Sequence, residues 1–241
     1  MNEEENFEEL YFRIKKTMDC LSVSYEIIFV DDGSEDKTSE LILKYGKKDH
    51  NIVGVNLSRN FGQDDAISAG LRVSEGLNII VLDGDLQDPP EVIPNLIKEK
   101  QKGYDVVYGI KTDRKEGVVI TGLTSLFYKF MYFLSGIRMP QNVGTFSIFT
   151  QQVGNAILNF PESNMFFSGV RCLVGFKQVG IKYKREKRTR GQAKSFFVLA
   201  RMAMNAIFSY SMLPLRFVIL ICSIVAVLTG CLFLFYIYQP I

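Results

Sequence analysis

The chain has 241 residues, 47% of them hydrophobic and 22% charged, with a formal net charge of +2. That length holds one domain, or one with an appendage, and that composition suits a chain able to bury a sizeable core. A near-neutral total points to no partner, four cysteines without CxxC spacing exclude a disulfide framework, and the single His50 supports neither a histidine metal site nor a Ser-His-Asp triad.

The first residues carry Glu3, Glu4, Glu5, Glu8 and Glu9, which is unlike the basic-then-apolar opening of a signal peptide. Four short apolar runs then read as strands: "YEIIFV" (25–30), "IVGVNL" (52–57), "NIIVLD" (78–83) and "YDVVYG" (104–109). Helical patterns separate them, at about 35–48, 62–75 and 90–102. Ser34 is the expected N-cap of the first and Asp88 of the third, with Pro89 and Pro90 in its opening turn. Strands alternating with helices of this length predict an α/β fold with a mostly parallel sheet and helices on both faces.

Beyond residue 110 the alternation stops. "GVVITGLTSLFYKFMYFLSGIRM" (117–139) and "SFFVLARMAMNAIFSYSMLPLR" (195–216) are helical, apolar and aromatic. They are core helices or helices lying in a membrane interface; for 195–213 the neighbouring span favours the interface. Lys182, Lys184, Arg185, Lys187, Arg188, Arg190 and Lys194 form a basic cluster, either a solvated face or a surface for phosphate or anionic lipid. "FVILICSIVAVLTGCLFLFYI" (217–237) carries no charge and is long enough to cross a hydrocarbon core of ~30 Å, with Arg216 at one end and Tyr236 and Tyr238 at the other. With cations before it, the positive-inside rule places the preceding residues in the cytoplasm.

In an open α/β sheet, ligands bind beyond the carboxyl ends of the strands. Two of those ends are acidic here, with Asp31 and Asp32 in one and Asp83, Asp85 and Asp88 in the other. Crowded carboxylates call for a cation, and a hard divalent ion that also bridges substrate phosphates is the economical choice. An EF-hand beginning at Asp83 would need Gly at its sixth position and Glu at its twelfth, where the chain has Asp88 and Pro94. An aspartyl-nucleophile phosphohydrolase would follow its second Asp with Gly and Thr or Val, not Leu86-Gln87. A nucleotide-sugar transferase accounts for more of the chain.

Taken together, "VDDGSEDKT", "LSRNFGQDDAISAG", "VLDGDLQDPPE", "RTRGQAKSF" and "SYSMLPLR" resemble, in order and spacing, the polyprenyl-phosphate glycosyltransferases. These are inverting GT-A-fold enzymes like dolichol-phosphate mannose synthase and, more closely, the bactoprenol glucosyltransferases. The resemblance implies transfer of glucose or a related hexose from a nucleotide sugar, UDP-linked rather than GDP-linked, to undecaprenyl phosphate, for cell-envelope glycans. It implies Mg²⁺ or Mn²⁺ held by Asp83 and Asp85, and a catalytic group of Asp83, Asp85, Arg188 and Lys194. The nucleotide sugar would be contacted by Glu3, Val30, Asp32, Asp83, Gly84, Asp85, Gln87, Lys111 and Arg114. Partners implied are the nucleotide sugar, the lipid phosphate and the inner (cytoplasmic) membrane, with room for a homo-oligomer. No motif speaks for nucleic acid.

The expected organisation is a cytoplasmic GT-A domain over 1–194, a juxtamembrane amphipathic helix over 195–216 and a transmembrane helix over 217–238. Three departures from the family stand out. "GTFSIF" replaces a Gly-Asp-Phe-Arg stretch, leaving Thr145 where the family carries an acid. The opening "MNEEEN" resembles only the tail of the family's first strand and Pro-x-Tyr-Asn-Glu turn, with Glu3 matching its Glu. One spanning helix stands where the family commonly has two. These departures lead to the expectation of a chain truncated at both ends, and to a rival reading as an inactive nucleotide-sugar-binding or scaffold protein.

Overall fold

The computed structural model describes residues 1–112, 142–160, 167–186 and 213–238. Arg114, Arg188 and Lys194 lie outside the described residues, as do 117–139 and most of 195–216.

The acidic opening forms helix α1 (Glu4–Asp19), whose Phe7, Leu10, Tyr11 and Met18 recur at helical spacing and are buried. Strand β1 (Ile27–Asp31), helix α2 (Thr38–Gly46), strand β2 (Ile52–Asn56), helix α3 (Gln63–Val73) and strand β3 (Asn78–Val81) follow. A single 3₁₀ turn (Pro90–Val92) leads into α4 (Ile93–Lys100) and then β4 (Val106–Lys111). Four more elements fall where the sequence pattern gave no alternation: β5 (Val143–Thr150), α5 (Gln151–Leu158), α6 (Phe167–Leu173) and β6 (Gln178–Tyr183). The last described element is α7 (Leu213–Ile237).

Neither expected cap forms. Ser34 hydrogen-bonds Asp31 instead, and α2 starts later, after Lys37. No side chain caps the turn at Pro90, because Asp88 is taken by Tyr183 and Arg185. The prolines do occupy the first turn, where a missing N–H costs nothing.

β1 and β2 pair in parallel, from Ile27 opposite Ile52 to Asp31 opposite Asn56. The other four strands form a sheet in the order β3-β5-β4-β6. Of the described strands, β5 alone runs against its neighbours. β1 pairs only with β2 and β3 only with β5 among the described strands, so each keeps an open edge.

Strand alternation divides the core into two layers. Val107, Phe146 and Ile148 face one side and pack with Met18, Ile93, Leu96 and Tyr183. Val106 and Phe149 face the other and pack with Leu71, Val153, Ile157, Phe167 and Val170. Helices therefore cover both faces of the four-stranded sheet, as an α/β fold requires. Leu96, Val106, Val107 and Phe149 are fully buried, and each such side chain stabilises the fold by about 1.5–3 kcal/mol.

Over Val218–Ile237, α7 is long and apolar enough to cross a membrane. Its described side chains, from Val218 to Leu228 and on to Tyr238, are exposed. A core helix of a water-soluble protein would have buried them.

Candidate active site

The site is built where β1, β3, β4, β5 and β6 end or begin. At the end of β1, Asp32 accepts hydrogen bonds from the backbone N–H groups of Phe61 (2.8 Å) and Gly62 (3.0 Å). It thereby fixes the turn that opens α3. Gly33 makes this possible: it has a φ of +67°, and a Cβ there would stand 2.5 Å from the carbonyl carbon of Arg59. The first residue of α3, Gln63, donates from Nε2 to Asp83 Oδ1 at 2.7 Å. The β1 and β3 ends are thus wired together through one short turn.

Beyond β3 the chain reads Asp83-Gly84-Asp85-Leu86-Gln87-Asp88. Leu86 adopts a positive φ of 57° with its side chain buried. The backbone N–H of Gln87 donates to Asp85 Oδ1 at 3.1 Å, closing a local turn that fixes the Asp85 carboxylate. From β5, Thr145 donates to Asp83 Oδ1 at 2.8 Å. From the end of β6, Arg185 Nε donates to Asp88 Oδ1 at 2.9 Å, while its Nη2 stands 3.9 Å from Asp83 Oδ2 and 4.0 Å from Asp85 Oδ2. One guanidinium therefore faces all three carboxylates. Asp88 is fully buried, also accepts from the Tyr183 hydroxyl, and keeps Oδ2 without a partner among the described residues. Burial, together with the Asp88 carboxylate, pushes the Tyr183 phenol well above its usual range.

Burial raises the Asp83 carboxyl above the ordinary carboxylate range; the Thr145 hydrogen bond pulls it down, and Asp88 and Asp85 push it up again. Its side chain retains 22% exposure, so it meets solvent at its rim. No cluster of three or more metal-binding side chains occurs among the described residues. Two neighbouring carboxylates nevertheless suit Mg²⁺ or Mn²⁺, hard cations that commonly take only one or two carboxylates from the protein.

The remaining residues expected at the site divide clearly. Glu3 lies beside Gly84, its Cγ 3.8 Å from where a Cβ would be, and is secured by its N–H to Thr38 Oγ1. Lys111, at the end of β4, lays its ammonium over Gly144, where a Cβ would be only 2.6 Å away. Its charge reaches Asp83. Val30 instead packs against α3 at Gly70. Gln87 is tied by its carbonyl, which accepts from Glu186 N–H at 2.8 Å. Arg185, Tyr183 and Gln63 were not anticipated. Arg185 stood in the basic cluster just after the apolar "VGIKY", and reading that run as a sixth strand would have brought it to the carboxyl edge.

Residues 1–159 match the glycosyl transferase family 2. A glycosyltransferase of Synechocystis sp., itself uncharacterized, is 38% identical over 230 residues, covering 95% of this chain and 72% of that protein. A prophage bactoprenol glucosyl transferase homolog of Escherichia coli is 36% identical over 89% of this chain and 71% of its own length. The bactoprenol glucosyl transferase of Shigella phage SfV is 35% identical over the same shares. Glucosyl-3-phosphoglycerate synthase of Mycobacterium tuberculosis, solved with Mn²⁺, UDP-glucose and phosphoglyceric acid, shares the fold. It has a TM-score of 0.60 at 19% identity, over 86% of this chain and 74% of that one. The fold is GT-A, and the chain belongs to the glycosyl transferase family 2. It is a glycosyltransferase.

Proposed function

We propose that the protein transfers a hexose, glucose foremost, from a UDP-sugar to polyprenyl phosphate at the cytoplasmic face of a membrane. The carrying observation is that Asp83 and Asp85 flank one guanidinium, that of Arg185, at the sheet edge. Relatives named for bactoprenol glucosylation support the lipid acceptor and the glucose. A fold neighbour solved with UDP-glucose and Mn²⁺ supports the donor and the metal. The apolar helix Val218–Ile237 supports anchoring beside a lipid substrate.

The proposed division of labour follows from charge. Asp83 and Asp85 would hold the cation, which would offset negative charge on the departing diphosphate. Arg185, oriented by Asp88, presents a second, fixed positive charge to the same oxygens. Lys111 supplies a third from β4 as a point charge without the fork of an arginine. Arg114, Arg188 and Lys194 are proposed as further phosphate contacts, and Glu3, Gly84 and Gln87 as the wall around the donor. Asp32 sets the α3 turn and keeps lone pairs for the nucleoside, beside Val30. The acceptor phosphate has its second pKa near 6, so at neutral pH its oxygen is already a nucleophile. That oxygen bonds to the sugar's anomeric carbon as the bond to UDP breaks, inverting the centre. No acid is needed where Thr145 stands, because no proton has to be removed.

The organisation proposed is a catalytic unit over 1–194, a juxtamembrane segment over 195–216 and a span over 217–238. The test is a donor panel: membranes containing the protein, undecaprenyl phosphate, and labelled UDP-glucose, UDP-galactose, GDP-glucose or GDP-mannose. UDP-glucose should label the lipid fastest; preference for a GDP-sugar would reverse the donor assignment.

A further inference from the structure

Arg171, in α6, is fully buried. Its guanidinium lies over the Tyr108 ring (5.1 Å) and near that of Phe167 (6.0 Å). No described carboxylate pairs with it, and its Nε and Nη2 have no hydrogen-bond partner among the described residues. Desolvation holds its pKa below the normal arginine value, with only the neighbouring Cys172 and Tyr108 opposing. A charge stripped of water and left without a counter-ion destabilises a fold, and an apolar side chain of similar size commonly does better.

Its Nη1 makes a directed contact that leads to the site. Arg171 Nη1 donates to the Gly144 carbonyl at 3.3 Å, and Ser168 Oγ on the same helix donates to that oxygen at 3.1 Å. The next residue is Thr145, whose hydroxyl holds Asp83 at 2.8 Å. Lys111 lies across the same Gly144. One peptide at the start of β5 therefore sets both a hydrogen bond to the acidic pair and the bed of a cation.

We propose that Arg171 is a positioning residue for the acidic site, pinning the Gly144 peptide so that Thr145 orients Asp83. Being fully buried, it touches no substrate and acts through β5. The inference rests on the metal-binding reading of Asp83 and Asp85. Outer-shell partners of metal ligands commonly alter metal affinity by ~10–100-fold; one step further out, a loss of roughly three- to tenfold is expected.

The test uses the full-length protein in detergent, with Mn²⁺ in the presence of UDP as the probe. Unbound Mn²⁺ is followed by electron paramagnetic resonance and melting by circular dichroism. Arg171→Met should melt no lower than wild type yet bind Mn²⁺ roughly three- to tenfold more weakly, and Arg171→Lys should recover part of that loss. Unchanged Mn²⁺ affinity in Arg171→Met, whatever its melting temperature, overturns the positioning role. Should Arg171→Met not fold, Arg171→Lys is combined with Thr145→Val. A relay predicts that the lysine change has little effect once Thr145 is gone, and additive effects overturn it. A wild-type protein that binds no Mn²⁺ overturns the metal-site reading itself, and this inference with it.

Discussion

The fold disfavours a charged Asp83. Burial raises its pKa, so its contribution to folding is favourable while it is protonated and is lost as pH rises through that raised value. At neutral pH the metal-free protein bears the penalty. Asp83→Asn, which keeps an acceptor for Thr145, should melt higher than wild type without metal and gain nothing from Mn²⁺. Melting with and without Mn²⁺ checks both parts; a lower melting temperature would contradict the stated burden. Asp85→Ala removes one carboxylate of the pair and should lower sugar transfer by at least about a hundredfold, measured on membranes with protein levels matched. The Asp83–Asp85 pair was legible in the sequence because two carboxylates followed an apolar run. Asp88 reads as a helix cap in the sequence, whereas in the fold it shares the Arg185 guanidinium with that pair. Short-range patterns favour a cap, and the real partners, Tyr183 and Arg185, lie 95 and 97 residues away. No local signal encodes such a contact.

The elements show the same division between local and distant information. β1 to β4 and α2 to α4 follow from apolar runs and turn chemistry. α1 was hidden by its glutamates, although Phe7, Leu10, Tyr11 and Met18 carry a helical stripe. β5 was hidden because "GTFSIF" places Thr145 and Ser147 among apolar residues, and only the sheet explains them: Ser147 is buried and bonds the Thr145 carbonyl at 2.8 Å. β6 aims Arg185, and it depends on a close fit to β4. A Cβ at Gly109 would stand 2.5 Å from Tyr183 Cε1, an aromatic ring with little freedom to yield. Gly109→Ala should therefore displace Tyr183, loosen the Asp88–Arg185 pair, and destabilise the fold by about 1–3 kcal/mol. Denaturant titration measures the stability, and Mn²⁺ binding reports the loosened pair. The junction of α1 with the turn after α2 gives a pH signature outside the site. The Asn51 N–H, the Lys15 ammonium and the Tyr11 hydroxyl hold the Asp49 carboxyl down at about 2. Its stabilising contribution is complete above the unfolded pKa of ~3.9 and is lost as pH falls toward 2. Asp49→Asn should flatten the acid limb of the melting profile between pH 4 and 2.

At the scale of the whole molecule, the proposal joins a catalytic edge to a membrane anchor. The apolar helix was the plainest feature of the sequence, since a run of this length without charge has few other uses. Deleting Val218–Ile237 should reduce retention in the membrane pellet while leaving Mn²⁺ binding intact; undiminished retention would show that other segments suffice. The resemblance carried the fold class further than periodicity could, because it covered the region beyond residue 110 where alternation is lost. The most direct measurement is Mn²⁺-dependent transfer of labelled glucose from UDP-glucose to undecaprenyl phosphate, comparing wild type with Asp85→Ala. The account predicts a labelled, extractable lipid from wild type with Mn²⁺, and essentially none from Asp85→Ala or without divalent metal. Equal labelling by both proteins, or none by a wild type that binds Mn²⁺ and UDP, would contradict it.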